Sequence, residues 1–203
     1  MIAIVDYGVG NLFSLQSSFK RIGADAVVTG DRAVIESADR ILLPGVGAFE
    51  DAAKKLRESG LADVVCQQAE AGKNILGICL GMQMLFDKSY EFGCHHGLGL
   101  IPGDVVDMTP EVAPALKVPH IGWNPLHLTQ PDHPLFRYLK EGDCVYFVHT
   151  YYATNCDEAV LATAEYGRTL TAAVGKGNIM GCQFHPEKSG PVGLNILRAF
   201  CEL

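Results

Sequence analysis

Apolar positions along the first half of the chain alternate between short runs and helical stripes. Residues 2–5 form an apolar run that stops at Asp6-Tyr7-Gly8-Val9-Gly10-Asn11. Leu12, Leu15, Phe19 and Ile22 then recur at helical spacing, and Gly23 closes that helix. The pattern predicts a strand at 26–29, a short helix at 32–38 and a strand at 40–43 running into Pro44-Gly45-Val46-Gly47. A long amphipathic stretch over 49–71 is interrupted near Gly60. A strand at 75–78 and a helix at 80–88 follow. Strand–helix alternation of this kind predicts a mostly parallel central sheet with flanking helices on both faces.

The second half changes character. Turn residues recur every few positions over 97–123. Strands are predicted at 144–149, 159–165, 170–175 and 179–184, and a final helix at 192–201. The expected architecture is α/β, a flavodoxin-like parallel core with added antiparallel strands. Without repeats, low-complexity tracts or a linker, one domain over 1–203 is expected.

Composition narrows the function classes. Apolar residues make up 48% and charged residues 19%, which excludes disorder as the main state. A net charge of −7 argues against a general nucleic-acid binder. No apolar run approaches the roughly 18 residues that span a bilayer. The opening residues read as a strand rather than a signal peptide. The seven cysteines are odd in number and irregular in spacing, with no C-x-x-C. Free thiols in a reducing cytoplasm are expected.

The most informative segment is NILGICLGMQML, residues 74–85. An apolar strand runs into Gly77-Ile78-Cys79-Leu80-Gly81 and a helix is predicted directly after. This is the nucleophile-elbow pattern with cysteine at its apex. Glycines around the apex remove side chains that would clash across a sharp turn. The helix N-terminus behind Cys79 favours the thiolate, and the Leu80 N–H points where an oxyanion would form. His185 is a base candidate because it ends a strand and precedes Pro186-Glu187. On extended backbone His185 and Glu187 face the same side, so the carboxylate can hold one ring nitrogen. Taken alone, H-P-E also suits a surface turn. Pro44-Gly45-Val46-Gly47 ends another predicted parallel strand, where ligands of such sheets bind. It fits a second oxyanion donor or a plain strand-to-helix turn equally well.

PGVGAF, GICLGMQ and QFHPEKS, in that order, together resemble the class I (triad) glutamine amidotransferases over nearly the whole chain. The resemblance implies that Cys79 attacks the glutamine carboxamide, that His185 transfers the proton and that Glu187 orients His185. It implies an oxyanion hole of backbone amides from Val46, Gly47 and Leu80. It places Gly45, Gln83, His149, Thr150 and Tyr151 around the glutamine. DYGVGNLFS, PHIGWN, YFVHTYY and QFHPEKSG are similar to the members that feed ammonia to a separate (βα)8 barrel cyclase subunit in histidine biosynthesis. That likeness implies a partner supplied in trans, with Asn11, His120, Trp123, Asn124, Tyr146 and Lys188 at or near the interface. Trp123 is the candidate anchor; the alternative is that it belongs to the core.

No cofactor and no metal is expected. Cys94-His95-His96 lacks the spaced ligand set of a zinc site and reads as surface loop. GVGN at 8–11 lacks the third glycine of a dinucleotide fingerprint, because Phe13 takes its place. There is no Walker A pattern. Three rival readings remain: a glutaminase of another synthase, a γ-glutamyl peptidase without a partner, and a scaffold with a vestigial site.

Overall fold

Alternate residues of the first strands face two different helix layers. In the computed structural model, which describes residues 1–112 and 115–203, β1 (Ile2–Val5) is followed by α1 (Leu12–Arg21), β2 (Ala26–Thr29), α2 (Arg32–Ser37) and β3 (Arg40–Leu43). The amphipathic stretch is split into α3 (Phe49–Glu58) and α4 (Leu61–Glu70), and β4 (Asn74–Ile78) comes next. Gly60 makes the break with φ 73°, a conformation glycine adopts without penalty. Ala3, Val5, Ile41, Leu43 and Ile75 pack with buried residues of α2, α3 and α4. Ile2, Ile4, Leu42, Leu76 and Ile78 pack on the opposite face with Leu15 and Phe19 of α1. Period-two alternation on doubly covered strands thus builds both halves of the core.

After β4 the structure departs from the pattern. The helix expected over 80–88 is a single turn, α5 (Leu80–Gln83). A continuing helix would send the carbonyls of Met84, Leu85, Phe86 and Asp87 to residues four further on. Instead they accept from Leu98, from Leu100 and Ile101, from Gly99 and from Gly97 respectively. Tertiary hydrogen bonds therefore replace the helical ladder. The region expected to be loop contains β5 (Lys88–Ser89), β6 (His95–His96) and β7 (Asp104–Asp107), then α6 (Thr109–Val112) and β8 (His120–Pro125). Cys94-His95-His96 is accordingly part strand, with Ser89 opposite His95.

The remaining elements are β9 (His127–Leu128), β10 (Cys144–His149), β11 (Tyr151–Thr154), β12 (Val160–Glu165), β13 (Thr169–Lys176), β14 (Ile179–Cys182) and α7 (Gly190–Cys201). The large sheet has the order β2-β1-β3-β4-β14-β13-β12-β9. Its first five strands are parallel, in the flavodoxin-like order, and the last three add on antiparallel. α7 covers the α1 face through Ile196, Leu197 and Phe200. Two further sheets pair β8 with β10 and order β11-β7-β5-β6. Among the described residues, no helix is long and apolar enough to cross a membrane.

Candidate active site

Three neighbouring parallel strands end side by side. Leu43 of β3 pairs with Gly77 of β4, and Cys182 of β14 pairs with Ile78. The loops leaving them are Pro44–Gly47, the Cys79 turn and the segment running through His185. The carboxyl ends of such strands form the crevice of an open α/β sheet.

Cys79 sits at φ 54°, ψ −112°, a conformation unusual for a side-chain-bearing residue. Its N–H donates to the Cys182 carbonyl at 2.7 Å, and its carbonyl accepts from Gln83 N at 3.1 Å. The turn is held by three glycines. A Cβ on Gly81 would collide with the Leu43 carbonyl oxygen. A Cβ on Gly77 would lie 2.7 Å from the Gly81 carbonyl oxygen, and one on Gly45 would lie 2.6 Å from Gly81 N. Backbone therefore approaches backbone where no side chain fits. Tyr7, from the loop after β1, donates its hydroxyl to the Pro44 carbonyl at 2.6 Å and ties the glycine loop down.

His185 Nδ1 lies 2.8 Å from Glu187 Oε1, with the two side chains 3% and 1% exposed. Glu187 reaches it by a different route from the extended one expected. Pro186 opens a 3-10 turn over Pro186–Lys188, and the turn curls the carboxylate back onto the ring. Burial opposes a charge on His185, but hydrogen bonds to Cys79 and Glu187 carry it up to about 9. The imidazolium is thus stabilised between a thiol and a carboxylate.

A pocket of about 410 Å3 opens over Cys79 and His185. Val46, Gly47, Leu80, Gln83, His149, Thr150, Tyr151 and Lys188 line it, as do Glu91, Phe92 and Val148, which sequence reasoning passed over. Gly45 does not line the pocket; it is buried against Leu80 and Gly81. Gln83 turns its amide inward, donating to the Tyr151 carbonyl and to Gln183 Oε1, both at 3.0 Å. Gln183, fully buried, donates in turn to Cys79 Sγ at 3.7 Å. It lies inside the QFHPEKS motif, but only proximity to sulfur marks it. Glu91 comes from a segment with no sequence signal. Its Oε2 accepts from the Phe49 N–H at 2.7 Å, and burial raises its pKa despite that bond and nearby His95.

The residues expected at a partner interface divide. Trp123 is 55% exposed and meets Tyr146 edge-on at 6.1 Å, so it is a surface residue and not core. Lys188 is exposed, with its ammonium 5.9 Å from the Tyr146 ring centroid. Asn11 and Asn124 are half-buried. His120 is fully buried, stacked between Phe147 and Tyr166, and so offers no surface of its own for direct contact with a partner. Among the described residues no group of three His, Cys, Asp or Glu side chains could hold a metal ion.

A cysteine elbow and a buried His–Glu pair on a flavodoxin-like sheet agree with the comparisons with known proteins. The family described as "Glutamine amidotransferase class-I" matches residues 3–202, and the chain belongs to that family. Two solved structures share the fold. A glutamine amidotransferase superposes with a TM-score of 0.77 at 22% identity, covering 100% of this chain and 98% of its own. PurLQS from Thermotoga maritima gives 0.76 at 21%, covering 99% and 97%. Within the family the chain belongs with the proteins named imidazole glycerol phosphate synthase subunit HisH. It is 50% identical to that of Syntrophotalea carbinolica over the full length of both. It is 46% identical to that of Lactococcus lactis, over 99% of this chain and 98% of the relative. The Geobacter sulfurreducens protein is 47% identical over 100% and 98%.

Proposed function

We propose that this chain hydrolyses glutamine to glutamate and passes the ammonia to a (βα)8 barrel cyclase subunit, as the glutaminase subunit of an imidazole glycerol phosphate synthase. The products of the assembled enzyme are imidazole glycerol phosphate and aminoimidazole carboxamide ribotide, in histidine biosynthesis in the cytoplasm. The chain acts as one domain over residues 1–203. The observation that carries the reading is the convergence of Cys79, His185 and Glu187 on the ends of two adjacent parallel strands.

The Cys79 thiol gives its proton to His185, and the resulting thiolate attacks the side-chain carboxamide carbon. Glu187 holds the imidazolium and its orientation. The negative oxygen of the tetrahedral intermediate is met by the backbone amides of Leu80 and of the Val46–Gly47 loop. His185 then protonates the departing ammonia, leaving a γ-glutamyl thioester. Water, deprotonated by His185, cleaves it to glutamate and free thiol. Glu91 and Lys188, on the pocket wall, suit the α-ammonium and α-carboxylate of an amino-acid substrate. Trp123, Tyr146 and Lys188 form the exposed patch that suits the barrel partner.

The test is glutamate release by the chain alone and with a barrel subunit and its nucleotide, with Cys79→Ala as control. Release that requires the partner and nucleotide and vanishes in Cys79→Ala is expected. Full activity of the chain alone would mean an independent hydrolase. Silence with an active partner would remove the reading.

A further inference from the structure

His149 lines the pocket, yet both of its ring nitrogens are engaged by protein groups. Nδ1 lies 2.9 Å from the Tyr151 carbonyl oxygen, and Nε2 lies 3.1 Å from His120 Nδ1. On its other side His120 Nε2 lies 2.8 Å from Asn124 Oδ1. The orientation of the Asn124 amide is set independently, because its Nδ2 donates to the Glu165 carbonyl at 3.0 Å. A four-group chain therefore runs from the half-exposed Asn124 to the pocket wall.

Its protons can be counted. The Tyr151 carbonyl and Asn124 Oδ1 only accept, so each ring nitrogen facing them must carry hydrogen to bond. The contact between the two rings needs one more. Three bonds require three ring protons, whereas two neutral imidazoles hold two. A third proton would place a charge where both rings are buried. Burial drives His149 down to about 3, with His120 and His185 also opposing its charge, and it lowers His120. The pair stays neutral and one link is unmade. A missing hydrogen bond costs least where one of the two partners can turn to water instead, which is the Asn124 end, because the amide is half-exposed and both rings are buried.

We propose that His120 and His149 are a positioning pair for the glutamine pocket, each carrying its hydrogen on Nδ1, with the unmade link at Asn124. In that state His120 donates to His149, and His149 donates to the Tyr151 carbonyl. The same carbonyl accepts from Gln83, so the pocket wall is held both by Gln83 and by a two-imidazole relay that starts at the buried His120. His149 acts through that carbonyl rather than on the reacting atoms. The kinetic part of this proposal rests on the glutamine-hydrolysing reading; the tautomers do not.

The experiment is long-range proton–nitrogen NMR of the histidine rings in the full chain near neutral pH, paired with glutamine kinetics in the partnered enzyme. Both rings should show hydrogen on Nδ1 only, unchanged in Asn124→Ala. In His120→Leu the His149 Nε2 resonance should move downfield as it loses its donor, and KM for glutamine should rise about tenfold with kcat less affected. His120→Asn, whose side-chain amide can donate from a similar place, should move both back. Hydrogen on Nε2 of either ring, a doubly protonated ring, or an unmoved His149 Nε2 with unchanged KM in His120→Leu would each overturn the proposal. Wild-type enzyme that hydrolyses no glutamine would remove the functional reading instead, and the NMR result would still decide the pair.

Discussion

Glu187 and His185 are two residues apart in sequence, and their carboxylate and imidazole meet at 2.8 Å only because Pro186 starts a tight turn between them. The contact is dry, with Glu187 side-chain exposure at 1%. A buried ion pair of this kind ties the stability of the fold to pH.

The sign follows from the shift. His185 is raised from 6.5 to about 9, so the folded state binds its proton more tightly than the unfolded chain. That stabilisation is complete below 6.5 and is lost as pH rises through about 9. His149, pushed from 6.5 to about 3, works on the acid side: it costs stability as pH falls below 6.5. Melting temperature measured across pH should therefore peak near 6.5, and Glu187→Gln should flatten the alkaline limb. An alkaline limb identical in the variant would break the assignment.

Gln183 holds the cysteine sulfur from the side opposite solvent and accepts from Gln83. Gln183→Leu removes both bonds and leaves the Gln83 amide one partner short. The expected result is a fall in kcat/KM of about 10- to 100-fold with the fold retained. Steady-state kinetics alongside a melting curve would check it; kinetics matching the wild type would show that Gln183 only fills space.

Gly81 has no room for a methyl group, because its Cβ would meet the Leu43 carbonyl oxygen. Gly81→Ala should cost about 3 kcal/mol or more, since backbone rather than a flexible side chain must move. Gly72, with φ 86° and nothing within 4 Å, is the control: Gly72→Ala should cost about 1–2 kcal/mol through backbone strain alone. Urea unfolding of the two variants should rank them in that order.

Trp123 is half in solvent against Tyr146. Trp123→Ala should change the stability of the isolated chain by less than about 0.5 kcal/mol. Its affinity for the barrel subunit should fall by about 2 kcal/mol or more, as for a buried aromatic anchor. Calorimetric titration of the two subunits measures this directly, and an unchanged affinity would place the docking surface elsewhere.

Local pattern carried much of the fold. Strand-and-stripe alternation over β1 to β4 fell where it was expected, including the break at Gly60, because residues covered on both faces must alternate between two helix layers. Cys79 was legible because a sharp turn with close backbone approach admits few residues besides glycine around it. What local pattern could not supply depends on long-range pairing. The helix after Cys79 stops after one turn because residues 97–101 take its carbonyls. Glu91 joins the pocket, Gln183 reaches the sulfur and His120 sinks between two aromatic rings for the same reason. Sequence alone determined which groups could do chemistry and the strand ends that present them. Only tertiary structure decided which polar groups are dry, which face one another and which remain at the surface, because hydrogen-bond partners and burial are set by elements far apart in the chain.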